Sequence, residues 1–479
     1  MKAGPSILDE PYMNEEHLSR NSVVSAALVR SKEDKVNNPT SPLSTKYKDC
    51  ASDKFEFGGS LGTLALMIRF PLLMWYMWIG ATYYDGRIPL PRPNQSGAYP
   101  TAKAWVIYWV FFVGEALMYC YMPGVSNHGR PLRHEGGERP PYHCSAYTSF
   151  YATLAVAAVL HVARVLPLCA LVDEFGSLMT VAVFSGFVNS FIVCFQALAR
   201  GRTHQLTGYP IYNDFFMGAE LDPRIGISDF KMFYEVRVPW FMVFLITCSV
   251  AARQYARYGH VFGEVMFLAG AHYLYANACA KAEQMIIASW DMYFEKLGFL
   301  LTFWNVAGVP FTYCHCALYL ANQRSLRIPL ESLCHGRTDS CIHLLLGCGT
   351  APTARRTRSV TRRGASWSSA TRFPKCPWQA IESPKVIETD AGDRIMVDGW
   401  FAIVRKPDHV PDMFSSSPWG LVAGLKLEPA LSTGFYFVFF MVMIIRRTDR
   451  DINRCRRKYG EAWKQYEKEV PCLFVPYII

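Results

Sequence analysis

The residues best suited to chemistry lie near the C-terminus, where basic side chains follow an apolar run directly. The range Arg446–Lys464 holds eight Lys or Arg residues against three acidic residues, and so carries a net charge of +5. Arginine and lysine bind phosphate through charge-assisted hydrogen bonds, so this stretch suits a phosphate-bearing cofactor. A basic segment just past a membrane span also marks the cytosolic side, and on charge alone this second interpretation is preferred.

The overall composition points to a membrane protein. The chain has 479 residues, of which 51% are hydrophobic and 14% aromatic, and the apolar residues stand in long blocks. The formal net charge is +10, but Thr353–Lys375 alone holds six Arg and one Lys with no acid. Because the charge is concentrated in one stretch, nucleic acid is not expected as a partner of the chain.

Eight apolar runs could cross a bilayer, since several reach about 20 residues. They lack the polar face that a soluble helix shows every 3.6 residues, and Trp and Tyr cluster at their ends as in interfacial belts. We therefore predict an all-α polytopic membrane protein. The runs are Leu61–Tyr84, Ala104–Tyr121, Ser149–Leu168, Leu178–Ala199, Val238–Ala252, Val261–Ala280, Gly298–Ala321 and Leu421–Ile445.

The fifteen cysteines do not predict a metal site. Many of them fall inside apolar runs, where a free cysteine packs as a small hydrophobic residue. No Cys-x-x-Cys pair occurs, and the one-residue spacing of Cys314, His315 and Cys316 would splay these side chains apart on a helix.

Ionisable residues at membrane depth are further candidates for function, because charges there face a cavity or one another. The linker Arg200–Arg237 mixes aromatic and charged residues, so it is expected to pack as a loop that forms either part of a site or a structural lid. The ionisable residues are His272, Lys281, Glu283, Asp291, Glu295, Tyr313 and His315.

Several of these stretches resemble motifs of the sterol reductase family, which includes C-14 and C-7 sterol reductases and the lamin B receptor. Within the family, the fungal reductases of the sterol C-24(28) bond are the most similar. The resemblance runs from about Phe55 to Ile479 with one break. The matching stretches are Gly208–Arg224, Phe230–Arg237, Tyr275–Cys279, Trp290–Tyr293, Val309–Tyr313 and the basic C-terminal stretch.

The resemblance implies an enzyme of the endoplasmic-reticulum membrane with about ten spans and a cofactor pocket open to the cytosol. Together with the eight apolar runs, it leads us to expect eight to ten transmembrane helices. Such an enzyme uses NADPH to saturate a double bond of a sterol substrate, contacts membrane lipid, and could associate with other sterol-biosynthesis enzymes. No Gly-x-Gly-x-x-Gly occurs in a strand-helix context, so the cofactor would not bind a Rossmann domain. The family's cofactor contacts fall on Met396, Trp400, Phe401, Arg447, Asp451, Cys455, Arg456, Arg457, Lys458, Tyr459 and Tyr466.

The implied chemistry requires an acid. An isolated side-chain alkene accepts hydride poorly, but protonation of its terminal methylene carbon gives a tertiary cation that hydride can capture. Asp451 and Tyr313 are the candidate acids, and Asp451 is preferred with Tyr313 assisting. The sequence departs from the family pattern at two places. Tyr212-Asn213-Asp214 has one residue more than the family's Tyr-Asp-Phe, and Arg446 replaces a histidine.

The break in the resemblance lies between Gln323 and about Lys375, where the family has a span followed by the loop Trp-Asp-x-x-Asn-Ser-Gln-Lys-Asn-x-Phe-Arg. The genetic code offers an explanation. Back-translation of Gly349–Val360, read one base earlier, permits WDSANSQKNAFR, which fits that loop. Dropping one base at Gln323 permits HDPYAYRW, again a family-like string. We interpret the segment as a compensated frameshift in the gene sequence that replaces a span and the cofactor loop.

The chain is thus expected to have four regions. Residues 1–57 are polar, lack a signal peptide and are predicted to be a disordered cytosolic tail. Residues 58–322 form the membrane region, residues 323–375 the anomalous segment, and residues 376–479 the cofactor-binding region with the last span.

The predicted function is NADPH-dependent reduction of the sterol C-24(28) bond, the last step of ergosterol synthesis. Alternatives are a C-14 or C-7 sterol reductase, a non-catalytic relative, and an isoprenylcysteine-methyltransferase-like enzyme.

Overall fold

The computed structural model describes the chain between residues 56 and 475, with gaps. The predicted tail at residues 1–57 lies outside the described residues except for its last two positions, and the anomalous segment 323–375 lies wholly outside them. The described ranges are 56–86, 97–129, 139–201, 211–322 without 288, 290, 293 and 294, then 385–389, 394–407, 409, 410, 413, 419 and 430–475.

Helices dominate the described residues. Their starts and ends follow local chemistry: the Thr101 side chain accepts from Ala104 N at 3.1 Å, and Gly259 ends a helix at φ +75°. In chain order they are α1 (Gly59–Tyr83), α2 (Ala102–Tyr121), α3 (Ala146–Val162), α4 (Ala170–Asp173), α5 (Phe175–Ala199), α6 (Ile211–Met217), α7 (Phe230–Tyr258), α8 (Gly263–Lys281), α9 (Glu283–Ile286), α10 (Phe299–Phe303), α11 (Val309–Thr312), α12 (His315–Asn322), α13 (Ala430–Tyr459) and α14 (Glu461–Glu469).

Four of these helices, α1, α2, α5 and α7, are long and apolar enough to cross a membrane. They confirm the predicted class of a mainly helical, polytopic membrane protein. The helix α3 is apolar but has only 17 residues. The predicted span Gly298–Ala321 is not one helix, because a turn at Tyr313 and Cys314 separates α12 from the run of α10, a π turn and α11.

Two π turns have the same cause in the sequence. Phe233–Arg237, inside α7, and Trp304–Gly308, after α10, are each followed at once by Val-Pro. Proline has no backbone N–H, so Pro310 cannot bond the carbonyl of Val306 four residues earlier. The Tyr108 hydroxyl donates to that carbonyl instead, at 2.9 Å. A side chain of α2 therefore replaces the hydrogen bond that the proline removes.

A buried arginine ties four elements together at the end of the first π turn. Arg237 is fully buried and donates to Glu283 of α9 at 2.6 Å and to the Ser145 hydroxyl, just before α3, at 3.0 Å. Its guanidinium also lies 4.1 Å from the ring centre of Tyr119 in α2. Burial raises the pKa of the Glu283 carboxyl, and the Arg237 charge opposes that rise. The second Glu283 oxygen accepts from Ala146 N at 2.7 Å, so the carboxylate is satisfied on both sides.

The linker before α7 is packed where the structure describes it. Phe216 is fully buried, and Gly218 meets the start of α10 so closely that a Cβ on Gly298 would lie 2.2 Å from the Gly218 nitrogen. Gly218 has φ +102°, which favours glycine. Leu297 N donates to the Glu220 carbonyl at 3.0 Å beside this contact. Backbone therefore touches backbone here, and no larger residue fits.

Short antiparallel strand pairs complete the fold and leave its class unchanged. The pair formed by β5 (Val386–Glu388) and β6 (Arg394–Met396) matters for the site, because it brings Ile387 opposite Ile395 and Val386 opposite Met396. The strands are β1 (Val125–His128), β2 (Pro141–Cys144), β3 (Arg224–Ile225), β4 (Ser228–Asp229), β5 (Val386–Glu388) and β6 (Arg394–Met396).

Candidate cofactor and sterol site

The helix α13 joins the interior of the bundle to the basic C-terminal stretch. It runs through 30 residues, about 45 Å at 1.5 Å per residue. Its first half packs Tyr436, Phe440 and Ile444 into the core, and its second half carries the predicted cofactor residues. Gly460 at φ +50° then turns the chain into α14, which contacts α13.

The strand pair β5–β6 and the short 3-10 helix Gly399–Ala402 pack against α14 and the end of α13. The Tyr466 hydroxyl donates to the Phe401 carbonyl at 3.2 Å. The apolar contacts of this C-terminal cluster are made by Ile387, Val397, Ile452, Trp463, Tyr466 and Val470, with Cys455 and Tyr459 at its edge. Residues predicted from two separate motifs are therefore neighbours.

The aromatic residues of this region differ in what they can offer a ligand. Trp400 is 41% exposed, whereas Phe401 and Tyr466 are buried. Met396 is half-buried at the end of β6. Trp400 can therefore present its indole to a flat group, while the Tyr466 ring packs inside the C-terminal cluster.

The cations of Arg446–Lys464 differ in whether another side chain binds them. Arg456 donates to Glu467 of α14 at 3.0 Å, and Lys458 donates to the Tyr459 hydroxyl at the same distance. Arg457 is exposed and makes no ion pair within the part of the chain that the structure describes. An exposed guanidinium of this kind is available for a phosphate.

Asp451 is held by a residue that the sequence motifs did not single out. Lys406 forms an ion pair with it, and the Lys406 side chain is only 8% exposed. The Cys455 thiol contacts the other carboxylate oxygen at 3.9 Å, and Lys406 N donates to the Leu473 carbonyl at 3.0 Å. In the sequence, the feature that could have marked Lys406 as a candidate is its position six residues after Trp400, next to another basic residue.

Two acids predicted to lie at membrane depth pair with α13. Arg447 donates to Asp291 at 2.8 Å, and Arg450 donates to Glu295 at 2.9 Å. The Lys231 ammonium, which is fully buried, donates to the carbonyl of Asp291 at 2.9 Å. The expectation that such charges face one another is confirmed for this cluster.

Tyr313 lies deep in an aromatic cluster rather than beside Asp451. Its hydroxyl accepts a hydrogen bond from Trp304 Nε1 at 3.3 Å, and its ring centre lies 4.2 Å from that of Tyr436 and 6.1 Å from that of Trp240. Fifteen residues of α13 separate Tyr436 from Asp451, about 22 Å along the helix. The expected joint action of Asp451 and Tyr313 on one carbon stays a prediction, and the structure describes the two residues in different surroundings.

The residues near the end of α13 fit a phosphate-bearing dinucleotide. Exposed cations stand at the end of α13, and the exposed Trp400 indole lies in the Gly399–Ala402 helix, whose Phe401 carbonyl accepts a hydrogen bond from Tyr466 of α14. Arg and Lys suit the phosphates, and an indole suits an aromatic ring. Among the described residues, no three His, Cys, Asp or Glu side chains converge as metal ligands would.

Comparison with known proteins decides the family. The model of the ergosterol biosynthesis ERG4/ERG24 family matches residues 51–479. The chain belongs to the ERG4/ERG24 family. This membership confirms the resemblance drawn from the motifs and disfavours a methyltransferase-like enzyme.

Three relatives show where the chain stands in the ERG4/ERG24 family. It is 48% identical over 454 residues to the Delta(24(24(1)))-sterol reductase of Gibberella zeae, covering 89% of this chain and 74% of that protein. It is 48% identical over 445 residues to the Delta(24(24(1)))-sterol reductase erg4A of Aspergillus fumigatus, covering 88% and 92%. A Delta(14)-sterol reductase of Methylotuvimicrobium alcaliphilum is 30% identical over 439 residues, covering 90% and 97%.

Proposed function

We propose that this chain is an NADPH-dependent reductase of the C-24(28) double bond in a sterol side chain, acting in the endoplasmic-reticulum membrane at the last step of ergosterol synthesis. The observation that carries the proposal is the 48% identity to two fungal Delta(24(24(1)))-sterol reductases along most of the chain. The lower identity, 30%, to a Delta(14)-sterol reductase makes C-14 reduction the second candidate.

We assign the proton donor to Tyr313. The bound cofactor supplies hydride, so the protein must supply a proton to the methylene carbon in a dry place. Tyr313 is buried, and the Trp304 N–H that points at its oxygen would stabilise the phenolate left behind. The neighbouring faces of Trp240 and Tyr436 suit the cation that forms at C-24.

Asp451 takes a binding role in this assignment. It already accepts a hydrogen bond from the Lys406 ammonium, and it lies about 22 Å along α13 from Tyr436, which packs against Tyr313. A carboxylate fixed in that way can accept hydrogen bonds from an amide or a ribose hydroxyl. Arg457 and Lys458 are assigned to the phosphates, and Trp400 to stacking on an aromatic ring of the cofactor.

The basic end of α13 supports a cytosolic cofactor site. Lys and Arg are enriched on the cytosolic side of membrane spans, and Arg446–Lys464 follows the apolar part of α13 directly. NADPH from the cytosol would then reach the site without crossing the membrane. Association with other enzymes of sterol synthesis is part of the proposal and rests on the shared pathway.

The segment 323–375 bears on activity directly. We propose that it arises from a compensated frameshift, because a neighbouring frame permits the family's cofactor loop. Sequencing the gene and its transcript tests for the frameshift, and a verified single reading frame through the segment would contradict it. If the protein exists as written, it lacks a span and that loop, and the non-catalytic alternative gains support.

The experiment for the function uses fungal cells that lack their own C-24(28) reductase. Microsomes from cells expressing the reframed gene should convert a C-24(28) unsaturated sterol to the saturated product with NADPH, whereas the chain as written should show weak or no conversion. Sterol profiling by mass spectrometry gives the readout. Loss of a C-14 alkene instead would favour the second candidate, and no conversion by the reframed chain would overturn the proposal.

A further inference from the structure

The outer seam between α3 and α8 holds polar groups that the proposed reaction does not use. On α8 the residues of interest recur every three or four positions and so form one stripe along the helix, which we call the α8 stripe. Its members are Met266, Gly270, Tyr273, Asn277 and Lys281. Met266 is 54% exposed, Lys281 is exposed, and a Cβ on Gly270 would meet nothing within 4 Å. The open side of the stripe therefore faces away from the bundle.

A tyrosine of α3 binds the middle of the α8 stripe. The Tyr151 hydroxyl donates to Asn277 Oδ1 at 3.2 Å, and it lies 2.9 Å from the Tyr273 hydroxyl. Because the Tyr151 proton goes to Asn277, Tyr273 is the donor in the second bond. The Asn277 Nδ2 group keeps its two N–H donors without an acceptor among the described residues. Tyr151 is 39% exposed, so this polar group meets the surroundings of the bundle.

The Asn277 amide needs an acceptor from outside the chain. The helix α8 packs along α7, which is long and apolar enough to cross a membrane, so the seam lies at membrane depth. Hydrocarbon offers an amide no acceptor, and an unsatisfied donor there is costly. The ester carbonyls and the phosphate of a glycerophospholipid are the acceptors that the edge of a bilayer supplies.

Lys281 ends the stripe with a positive charge. Its ammonium lies 5.7 Å from the ring centre of Tyr147, whose ring packs edge-on against that of Tyr151 at 5.0 Å between centres. Lys281 makes no ion pair among the described residues, and Glu283, two residues later, is bound by Arg237 at 2.6 Å. The Lys281 charge is therefore open to a negative group of a ligand.

The α8 stripe is as long as one leaflet of a bilayer. Met266 and Lys281 are fifteen residues apart, about 22 Å along the helix. A bilayer with its headgroups is about 40–45 Å thick, so one leaflet takes about half of that. The polar members of the stripe stand at one end and the apolar members at the other, which matches the headgroup and the acyl chain of a lipid.

Lys281 lies at the end of the bundle that carries the basic stretch of α13. The helix α8 ends at Lys281, and Glu283 just after it pairs with Arg237 near the start of α7. Asp291, further along the same connection, pairs with Arg447 of α13. The basic charge of α13 marks this end as cytosolic, where anionic phospholipids give the membrane surface its negative potential.

We propose that the α8 stripe binds one anionic glycerophospholipid of the cytosolic leaflet. Lys281 pairs with the negative headgroup, the Asn277 amide donates to an ester carbonyl or to the phosphate, and an acyl chain lies along Gly270 and Met266. The bound lipid covers the seam and holds α3 and α8 together. None of these residues takes part in the proposed reaction, so the inference does not depend on it.

Thermal melting of the purified full chain in detergent tests the site, with phosphatidylinositol and phosphatidylcholine as probes. A ligand that binds the folded state raises the melting temperature, so the anionic lipid should act at lower concentrations than phosphatidylcholine. In Lys281→Ala, about tenfold more phosphatidylinositol should be needed, while the effect of phosphatidylcholine should change little. Asn277→Leu should weaken the effects of both lipids, because both carry the ester carbonyls and the phosphate.

Two further variants serve as controls. Lys281→Arg keeps the charge and should keep the preference for phosphatidylinositol. Arg257→Ala is the matched control, because Arg257 is an exposed cation near the other end of α7 and makes no ion pair among the described residues. Its loss should leave both lipid effects unchanged. A variant that fails to fold is recognised by its low melting temperature before lipid is added, and Lys281→Arg then decides.

Three outcomes would overturn the lipid site. They are equal effects of the two lipids on the wild type, equal behaviour of Lys281→Ala and Arg257→Ala, and an effect of inorganic phosphate as large as that of phosphatidylinositol. Both α3 and α8 precede the segment 323–375, so the test applies to the chain as written and to the reframed chain. A chain that binds the lipid but leaves the sterol bond intact would overturn the proposed function alone.

Discussion

Lys406 and Asp451 form an ion pair that joins the segment after the Gly399–Ala402 helix to α13. The pair is enclosed, since the two side chains are 8% and 21% exposed. Lys406 is fixed in turn by its backbone N–H, which donates to the Leu473 carbonyl. The two sequence motifs that carry the candidate cofactor residues are therefore held together through a contact between opposite charges.

Replacing Lys406 by methionine should weaken cofactor binding rather than chemistry. Lys406→Met keeps the length of the side chain but leaves Asp451 without its charged partner, so Asp451 should lose its orientation. A hydrogen bond to a charged group is worth about 1.5–3 kcal/mol, which predicts a rise in the KM for NADPH of about tenfold or more. Lys406→Arg is the control that keeps the charge. A lower kcat with an unchanged KM would contradict the binding role of Asp451.

Removing the Tyr313 hydroxyl should abolish proton transfer while sparing the binding of NADPH. A positioned acid contributes about 10²–10⁴-fold, so kcat of Tyr313→Phe should fall by that factor. Tyr436→Phe, which removes a hydroxyl from the ring packed against Tyr313, should leave kcat nearly unchanged. If Asp451 were the donor instead, Asp451→Asn would show the large loss of kcat and Tyr313→Phe would not.

The sequence predicted the membrane class, but it did not predict the partners of the charged residues. Asp291 and Glu295 stood out as costly charges, but their pairing with Arg447 and Arg450 depends on how α13 aligns with a segment about 155 residues earlier. No local pattern contains that alignment.

The same limit applies to the predicted catalytic pair. Asp451 and Tyr313 both belong to motifs of the family, so they were expected to act on one carbon. Only the structure reveals that α13 presents Tyr436, fifteen residues before Asp451, to the ring of Tyr313. Val309-Pro310 alone does not explain the break in the seventh predicted span, because Val238-Pro239 follows a π turn in the same way inside α7, which is continuous.

The buried pair of Arg237 and Glu283 should be a point of high sensitivity. Glu283→Gln leaves the guanidinium charge buried without a counter-charge, which costs about 3–5 kcal/mol. The melting temperature in detergent should therefore fall by several degrees. The double variant Arg237→Met/Glu283→Leu should be less destabilised than the single variant, since no charge is stranded. A single variant as stable as the wild type would contradict the ion pair at 2.6 Å.

The contact between Gly218 and Gly298 predicts a second stability effect. Gly298→Ala would place a Cβ 2.2 Å from the Gly218 nitrogen and 2.5 Å from the Met217 carbonyl carbon, and both neighbours are backbone atoms that cannot swing aside. We expect a large loss of thermal stability. Gly114→Ala is the control, because its Cβ would meet nothing within 4 Å in the middle of α2, and alanine favours a helix by about 1 kcal/mol. Equal behaviour of the two variants would refute the close approach.

Arg457 should distinguish NADPH from NADH. Its guanidinium is exposed and makes no ion pair among the described residues, unlike Arg456, which is held by Glu467. A guanidinium that bonds the 2′-phosphate adds about 1.5–3 kcal/mol, so Arg457→Ala should raise the KM for NADPH by about tenfold or more. The KM for NADH, which lacks that phosphate, should change little.

The matched control for Arg457 is Lys464→Ala. Lys464 is an exposed cation on α14, but it is paired with Glu461 at 2.7 Å, so its loss should leave both KM values unchanged. Added salt should raise the KM for NADPH in the wild type more than in Arg457→Ala, because screening weakens the contact that the variant lacks. An equal rise in the KM for NADPH and NADH in Arg457→Ala would place the arginine at the pyrophosphate, which both cofactors share, and not at the 2′-phosphate.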